Sequence, residues 1–265
     1  MDQTLGAVSG PAIDWNRPWY QPWREPGEQV LRRVADGVPL HEALNRQGAA
    51  PVRFVDSSAV PAGEPYERYI FDSGNCPTRQ NLHDFFNGLC WLRVPRSKQR
   101  LNALQAGQIA SAGVGAERGP VRDAITVFDE NGALLQAPPA LWEALLARDW
   151  RRLFVELRPL WREARVMVFG HALLEKLATP RKDITAHVWA ACAAGGSADE
   201  VDGWLSAQLT TARLAAKPFT PLPLLGIPGW APENQNFSFY DDSLVFRPAR
   251  RTNSKTTAPH PSSRP

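Results

Sequence analysis

Residues 78–98, TRQNLHDFFNGLCWLRVPRSK, constrain the fold more than any other segment, because they read as a helix with no solvent face. At 100° per residue, Leu82, Phe85, Phe86, Leu89, Cys90 and Leu92 form one apolar stripe. His83, Asp84, Asn87, Gly88 and Trp91 fall on the opposite arc, where a solvated helix would carry Lys, Glu and Gln. Both sides should therefore be covered, with the His/Asp/Asn face lining a pocket. Thr78 is the expected N-cap and Pro95 the stop, with a second helix expected over 98–110.

The rest of the chain punctuates itself with prolines. Trp15, Trp19 and Trp23 recur every four residues, but Pro18 and Pro22 veto a regular helix. Residues 1–26 are thus expected to be an extended strap burying its indoles against a single globular domain, 27–246. Short helices are expected over 28–35 and 40–45, and a short strand over 51–55. Residues 124–135, AITVFDENGALL, suggest a β-hairpin turning at Asn131-Gly132, with Asp129 and Glu130 as turn residues. Helices are expected over 139–148 and 197–215, and a helix, or a strand leading into one, over 166–178. Residues 218–248 lose periodicity and should wrap the surface on apolar anchors. The fold class is mainly α (α+β): a compact helical domain with a small β-hairpin and irregular terminal straps.

Charge and cysteines narrow the function. The net charge of +3 comes from a basic, Pro/Ser/Thr-rich tail, 247–265, which carries five bases and no acid. Residues 1–246 hold 25 bases against 27 acids, so a nucleic-acid partner is not expected and the tail should be disordered. Cys76, Cys90 and Cys192 are odd in number and form no CxxC pair, which excludes a zinc ribbon or disulfide framework. No segment approaches the roughly 18 apolar residues needed to span a bilayer. The N-terminus lacks a basic, then apolar, leader, and a cytoplasmic location is expected.

Two segments carry chemistry. His83, Asp84 and Asn87 lie within one helical turn, so one ligand could touch them all. His171 and Glu175, at i and i+4, share a face and could present two ligands to a divalent cation. The second histidine of an HExxH motif is missing, and so are a GxSxG elbow and a phosphate loop. Lys98, in the first turn of the second helix, could take an anion. Asp123 precedes an apolar run and is a further candidate.

The stretches NLHDFFNGLCWLRVPRSKQRLNALQ (81–105), RGPVRDAITVFDENGALL (118–135), VFGHALLEKL (168–177), TAHVW (185–189), LPLLGIPGW and FYDDSLVFRP resemble the bacterial domain of unknown function 3025 family. The resemblance implies no activity or cofactor. Its Asn-x-His-Asp pattern falls on Asn81, His83 and Asp84. Its later Trp, Pro and Lys fall on Trp91, Pro95 and Lys98, and Gly-His-x-x-x-Glu on Gly170, His171 and Glu175. Gln105 stands where the resemblance implies a His.

The expected function is a small-molecule or phosphoester hydrolase. His83, Asp84 and His171 would be catalytic. Asn81, Asn87, Trp91, Lys98 and Asp123 would bind substrate. His83, His171 and Glu175 would hold a divalent metal ion (Zn²⁺, Mn²⁺ or Fe²⁺) as cofactor. The alternative is a non-catalytic binding or scaffold protein whose polar residues form a buried network.

Overall fold

Pro18 and Pro22, expected to keep the N-terminal strap irregular, lie instead in a 3-10 helix, Pro18 at its start and Pro22 inside it. Pro18–Trp23 is a 3-10 helix that runs into α1, Arg24–Ala35. Pro18 and Pro26 sit in first turns, where the missing N–H leaves no hydrogen bond unmade. The indole burial expected of this segment is present: Trp19, Tyr20 and Trp23 are buried. Trp23 Nε1 donates to the Val168 carbonyl (3.2 Å) and Tyr20 Oη to that of Leu174 (2.8 Å). The computed structural model describes residues 8–48, 50–112, 119–191 and 196–249. Most of the basic tail, Cys192 and most of the Gly-rich stretch 111–120 lie outside the described residues.

After α1 come α2 (Leu40–Asn45), β1 (Arg53–Asp56), α3 (Tyr66–Ser73) and β2 (Asn75–Thr78). Strands β1 and β2 pair in parallel as a two-stranded sheet. Helix α4 spans Leu82–Arg93. Its cap is Asn81, whose side-chain oxygen accepts from the Asp84 amide; Thr78, the expected cap, is the last residue of β2. The chain bends at Val94 into α5, Pro95–Ala112. Nine of the twelve residues of α4 are buried, which satisfies the two-sided covering expected of it. Gly88 is explained by packing: a Cβ there would lie 2.5 Å from Leu44 Cδ1 of α2.

The expected hairpin over 124–135 is not formed. Residues Pro120–Asn131 are helix α6, with Val121, Ala124, Ile125 and Phe128 buried along one face. Asn131-Gly132 ends this helix rather than turning a hairpin, and the Gly132 amide donates to the Phe128 carbonyl. A Cβ on Gly132 would lie 2.3 Å from that carbonyl oxygen. β-Branched residues with aromatic neighbours thus went helical because their spacing also fits a helix face buried on a sheet.

Next come β3 (Gly132–Gln136), α7 (Pro139–Ala147), β4 (Arg165–Val168), α8 (His171–Lys176), β5 (Thr185–Ala190), α9 (Ala198–Gln208), α10 (Thr211–Ala215) and β6 (Thr220–Pro223). The second sheet has the order β4-β3-β5-β6, with only β3 and β5 parallel. The helix expected over 197–215 begins at a capping box on Ser197 but breaks after Gln208, where Thr210 caps α10. The Pro-rich segment after β6 is pinned by buried Ile227, Asn234, Tyr240 and Phe246. The protein is mixed α+β and mostly helical, with one continuous hydrophobic core. No described helix is long and apolar enough to cross a membrane.

Candidate metal centre and cavity

Five elements wall a cavity of about 360 Å³: α3, α4, α5, α6 and the first turn of α8. From α4 it receives His83, Asp84, Asn87 and Trp91, from α5 Lys98, Asn102 and Gln105, and from α8 His171. Helix α6 supplies Arg122, Thr126, Asp129 and Glu130, at the i, i+4, i+7, i+8 spacing of one helical face.

The two histidines meet. His83 Nε2 lies 3.1 Å from His171 Nε2, with ring centroids 4.5 Å apart and planes inclined at 75°. The His83 ring is backed at Nδ1 by a carboxylate within hydrogen-bond distance, and a second carboxylate lies near His171 Nδ1 without bonding to it. Glu175 Oε2 is 2.9 Å from His83 Nδ1, and Asp129 Oδ2 is 3.6 Å from His171 Nδ1. A carboxylate accepts, so His83 Nδ1 carries the proton and the ring turns its Nε2 inward. Burial pushes the His171 imidazole down to about 4, against Asp129, which favours its charged form; His171 is therefore neutral near pH 7. Two Nε2 atoms this close need a proton or a cation between them. With His83 protonated at Nδ1, the ligand-free pair is joined by a hydrogen bond in which His171 Nε2 donates to His83 Nε2.

Glu130 completes the cluster. Its Oε1 is 3.9 Å from His171 Nε2, and the ligand atoms of His83, Glu130 and His171 all lie within 4.8 Å of one another. Burial raises the Glu130 carboxyl above its usual range, partly opposed by His83. With metal–nitrogen bonds of about 2.05 Å at a tetrahedral centre, two ligand nitrogens sit roughly 3.3 Å apart, close to the spacing of the two Nε2 atoms.

The remaining charges on the wall are largely paired. Lys98 Nζ donates to Asp129 Oδ1 at 2.6 Å, and both side chains are under one-fifth exposed. Burial opposes both charges, yet each holds the other ionised, with Lys98 above and Asp129 below its usual range. Asp84 accepts from the Arg79 amide, Nε and Nη2. Glu67 accepts from Asn102 Nδ2 at 2.8 Å, and burial, with Asp129 adding to it, raises its carboxyl. Among the described residues lining the cavity, four have buried polar atoms without a hydrogen-bond partner: Asn87 at Oδ1, Gln105 at Oε1, His171 at Nδ1, and Arg122 at Nε and Nη1.

Of the residues anticipated from sequence, His83, Asp84, Asn87, Trp91, Lys98 and His171 line this one cavity. Asn81 does not; it caps α4. Asp123 points elsewhere, its carboxylate 3.9 Å from Lys217 Nζ. Lys98 is engaged by Asp129 and is not a free anion-binding cation. Glu175 stands behind His83, and Glu130 takes the ligand position anticipated for it. Glu130 and Asp129 were read as hairpin-turn residues. Reading 120–131 as a helix begun by Pro120 would have put them on the face of Arg122.

Gly170 sets how closely α8 approaches α6. A Cβ there would lie 2.4 Å from the Glu130 carbonyl oxygen and 2.6 Å from the Asn131 nitrogen, and backbone atoms cannot step aside. Gly170→Ala is expected to cost about 1–3 kcal/mol by chemical denaturation, as overpacking does. It should also weaken metal binding, because it parts His171 from Glu130.

A family model described as protein of unknown function (DUF3025) matches residues 52–250. No curated protein and no solved structure matches the chain.

Proposed function

The chain belongs to the DUF3025 family, and from its site we propose that it is a hydrolase of small molecules dependent on one divalent metal ion held by His83, His171 and Glu130. The observation that carries this reading is the convergence of two Nε2 atoms, one of them on a ring backed by the Glu175 carboxylate, with the Glu130 carboxylate beside them. Metal-binding histidines commonly give their other nitrogen to a carboxylate, which fixes the tautomer and raises basicity. Two histidines and one carboxylate suit Zn²⁺, Mn²⁺ or Fe²⁺ and leave coordination positions for water or substrate.

A cation there would acidify a water and polarise the carbonyl or phosphoryl oxygen of a bound substrate. The chain's own residues do the rest. Glu175 aims the His83 imidazole, and Asp129 sets the charge beside His171. Lys98 keeps Asp129 ionised, and Trp91, 5.5 Å from the Lys98 ammonium, walls the site. Asn87 Oδ1 and Gln105 Oε1, lacking protein partners, are free to orient a substrate. Those orphaned groups around an open cavity also count against a purely structural network, in which each would be paired.

The test is turnover. Chelated protein would be reconstituted with Zn²⁺, Mn²⁺ or Fe²⁺ and offered chromogenic carboxylic esters, amides and phosphoesters. Hydrolysis is expected only with metal and only when His171 is intact. Activity that survives both chelation and His171→Ala, or no turnover above the metal blank, contradicts the proposal.

A further inference from the structure

Among the described residues lining the cavity, Arg122 is the one charged side chain with buried nitrogens that lack a hydrogen-bond partner. Nε and Nη1 are both shielded from solvent and bond to nothing. Leaving these two buried nitrogens without an acceptor is costly in the ligand-free protein, and a bound oxyanion that accepts from them removes that cost. Its neighbours suit the same task. Thr126 is one helical turn further along α6 on the same face, and Gln105 on α5 has an unpaired carboxamide oxygen within a residue only 9% exposed. Because a carboxamide can be turned to present its NH₂, Gln105 can donate to an oxyanion.

The charge balance points the same way. Arg79 with Asp84, and Lys98 with Asp129, cancel in pairs. Once a divalent cation takes up the Glu130 carboxylate, with the Glu175 carboxylate behind His83, the metal end is balanced and Arg122 is left as the unpaired positive charge. Glu67, the remaining acid on the wall, is hydrogen-bonded to Asn102 and biased toward its neutral form by burial.

On the metal-site reading above, we propose that the substrate is itself an acid: a carboxylate or phosphate group sits on Arg122, and the bond to be hydrolysed lies at the His83–His171–Glu130 end. Eight residues of helix separate Arg122 from Glu130, about 12 Å along the axis, so the molecule is elongated. The guanidinium fork matches either oxyanion in bidentate geometry.

The experiment is calorimetric titration of the full chain, metal-free in chelator, with inorganic phosphate and with glutarate as probes. Saturable one-to-one binding of at least one anion is expected. Arg122→Gln should weaken it at least about thirtyfold, Arg122→Lys should fall between, and His83→Ala should leave it within about threefold of wild type. The preferred probe tells a carboxylic acid from a phosphate ester. Arg122→Gln should melt no lower than wild type, since no bond is lost; if it fails to fold, the Arg122→Lys titration decides. Absence of binding to both anions, or wild-type affinity without the guanidinium, overturns the proposal. Failure of the metal reading would appear separately, as intact anion binding in a protein that takes up no metal.

Discussion

Replacing Lys98 by methionine is expected to lower the unfolding free energy of the metal-free protein by about 3–5 kcal/mol, the cost of stranding a buried charge. Lys98 Nζ is 2.6 Å from Asp129 Oδ1, and the lysine side chain is 5% exposed. Without the ammonium, Asp129 would face the acids Glu67 and Glu130, each of whose carboxyls its charge already pushes up. Methionine matches the length of the lysine stem, so packing against Trp91 is largely retained and the loss is electrostatic. Lys98→Met/Asp129→Leu should recover most of the stability, because the desolvation cost disappears with both charges. Urea denaturation of the two single variants and the double variant measures the coupling. A Lys98→Met loss below 1 kcal/mol would mean that the pair is solvated and that Asp129 does not depend on it.

Removing one imidazole should abolish stoichiometric metal uptake, and removing its backing should only weaken it. His83→Ala takes away one of the three proposed ligand groups. Glu175→Gln leaves the ligand in place but exchanges a carboxylate for a neutral acceptor 2.9 Å from Nδ1. That change is expected to lower affinity 10–100-fold, the usual effect of losing such a partner. Asp123→Ala, whose side chain points away from the cavity, should bind metal as wild type does. Equilibrium dialysis against Zn²⁺ with elemental analysis reads all three. Equal loss in Glu175→Gln and His83→Ala would make Glu175 a ligand in its own right. No loss in either would remove the metal centre.

Helix α4 was legible because both of its arcs departed from what a solvated helix carries. His83, Asp84, Asn87 and Trp91 accordingly reach one cavity, and His171 joins them from a segment readable as strand then helix. Helix α6 was not legible, because local signals compete there. Asn131-Gly132 suits a hairpin turn and a helix end equally, and Ile125 and Phe128 are as β-prone as they are suited to a buried helical face. That one reassignment hid Arg122, Asp129 and Glu130 together. The roles of Glu175 and Glu130 depend on how α8 docks between α4 and α6, which no local pattern encodes. Glu175 is one turn beyond His171 on its own helix, yet its carboxylate meets the ring of the facing helix instead. Lys98 was read as an open cation because its partner lies 31 residues away on a segment given the wrong structure.

The central claim is that His83, His171 and Glu130 close on one metal ion. Anomalous diffraction at the zinc edge from crystals of the full chain, grown with one equivalent of Zn²⁺, tests it most directly. The account predicts one strong peak between the two imidazoles, about 2.0–2.2 Å from both Nε2 atoms and from a Glu130 oxygen. A peak elsewhere, or two imidazoles still in contact with no metal between them, would contradict it.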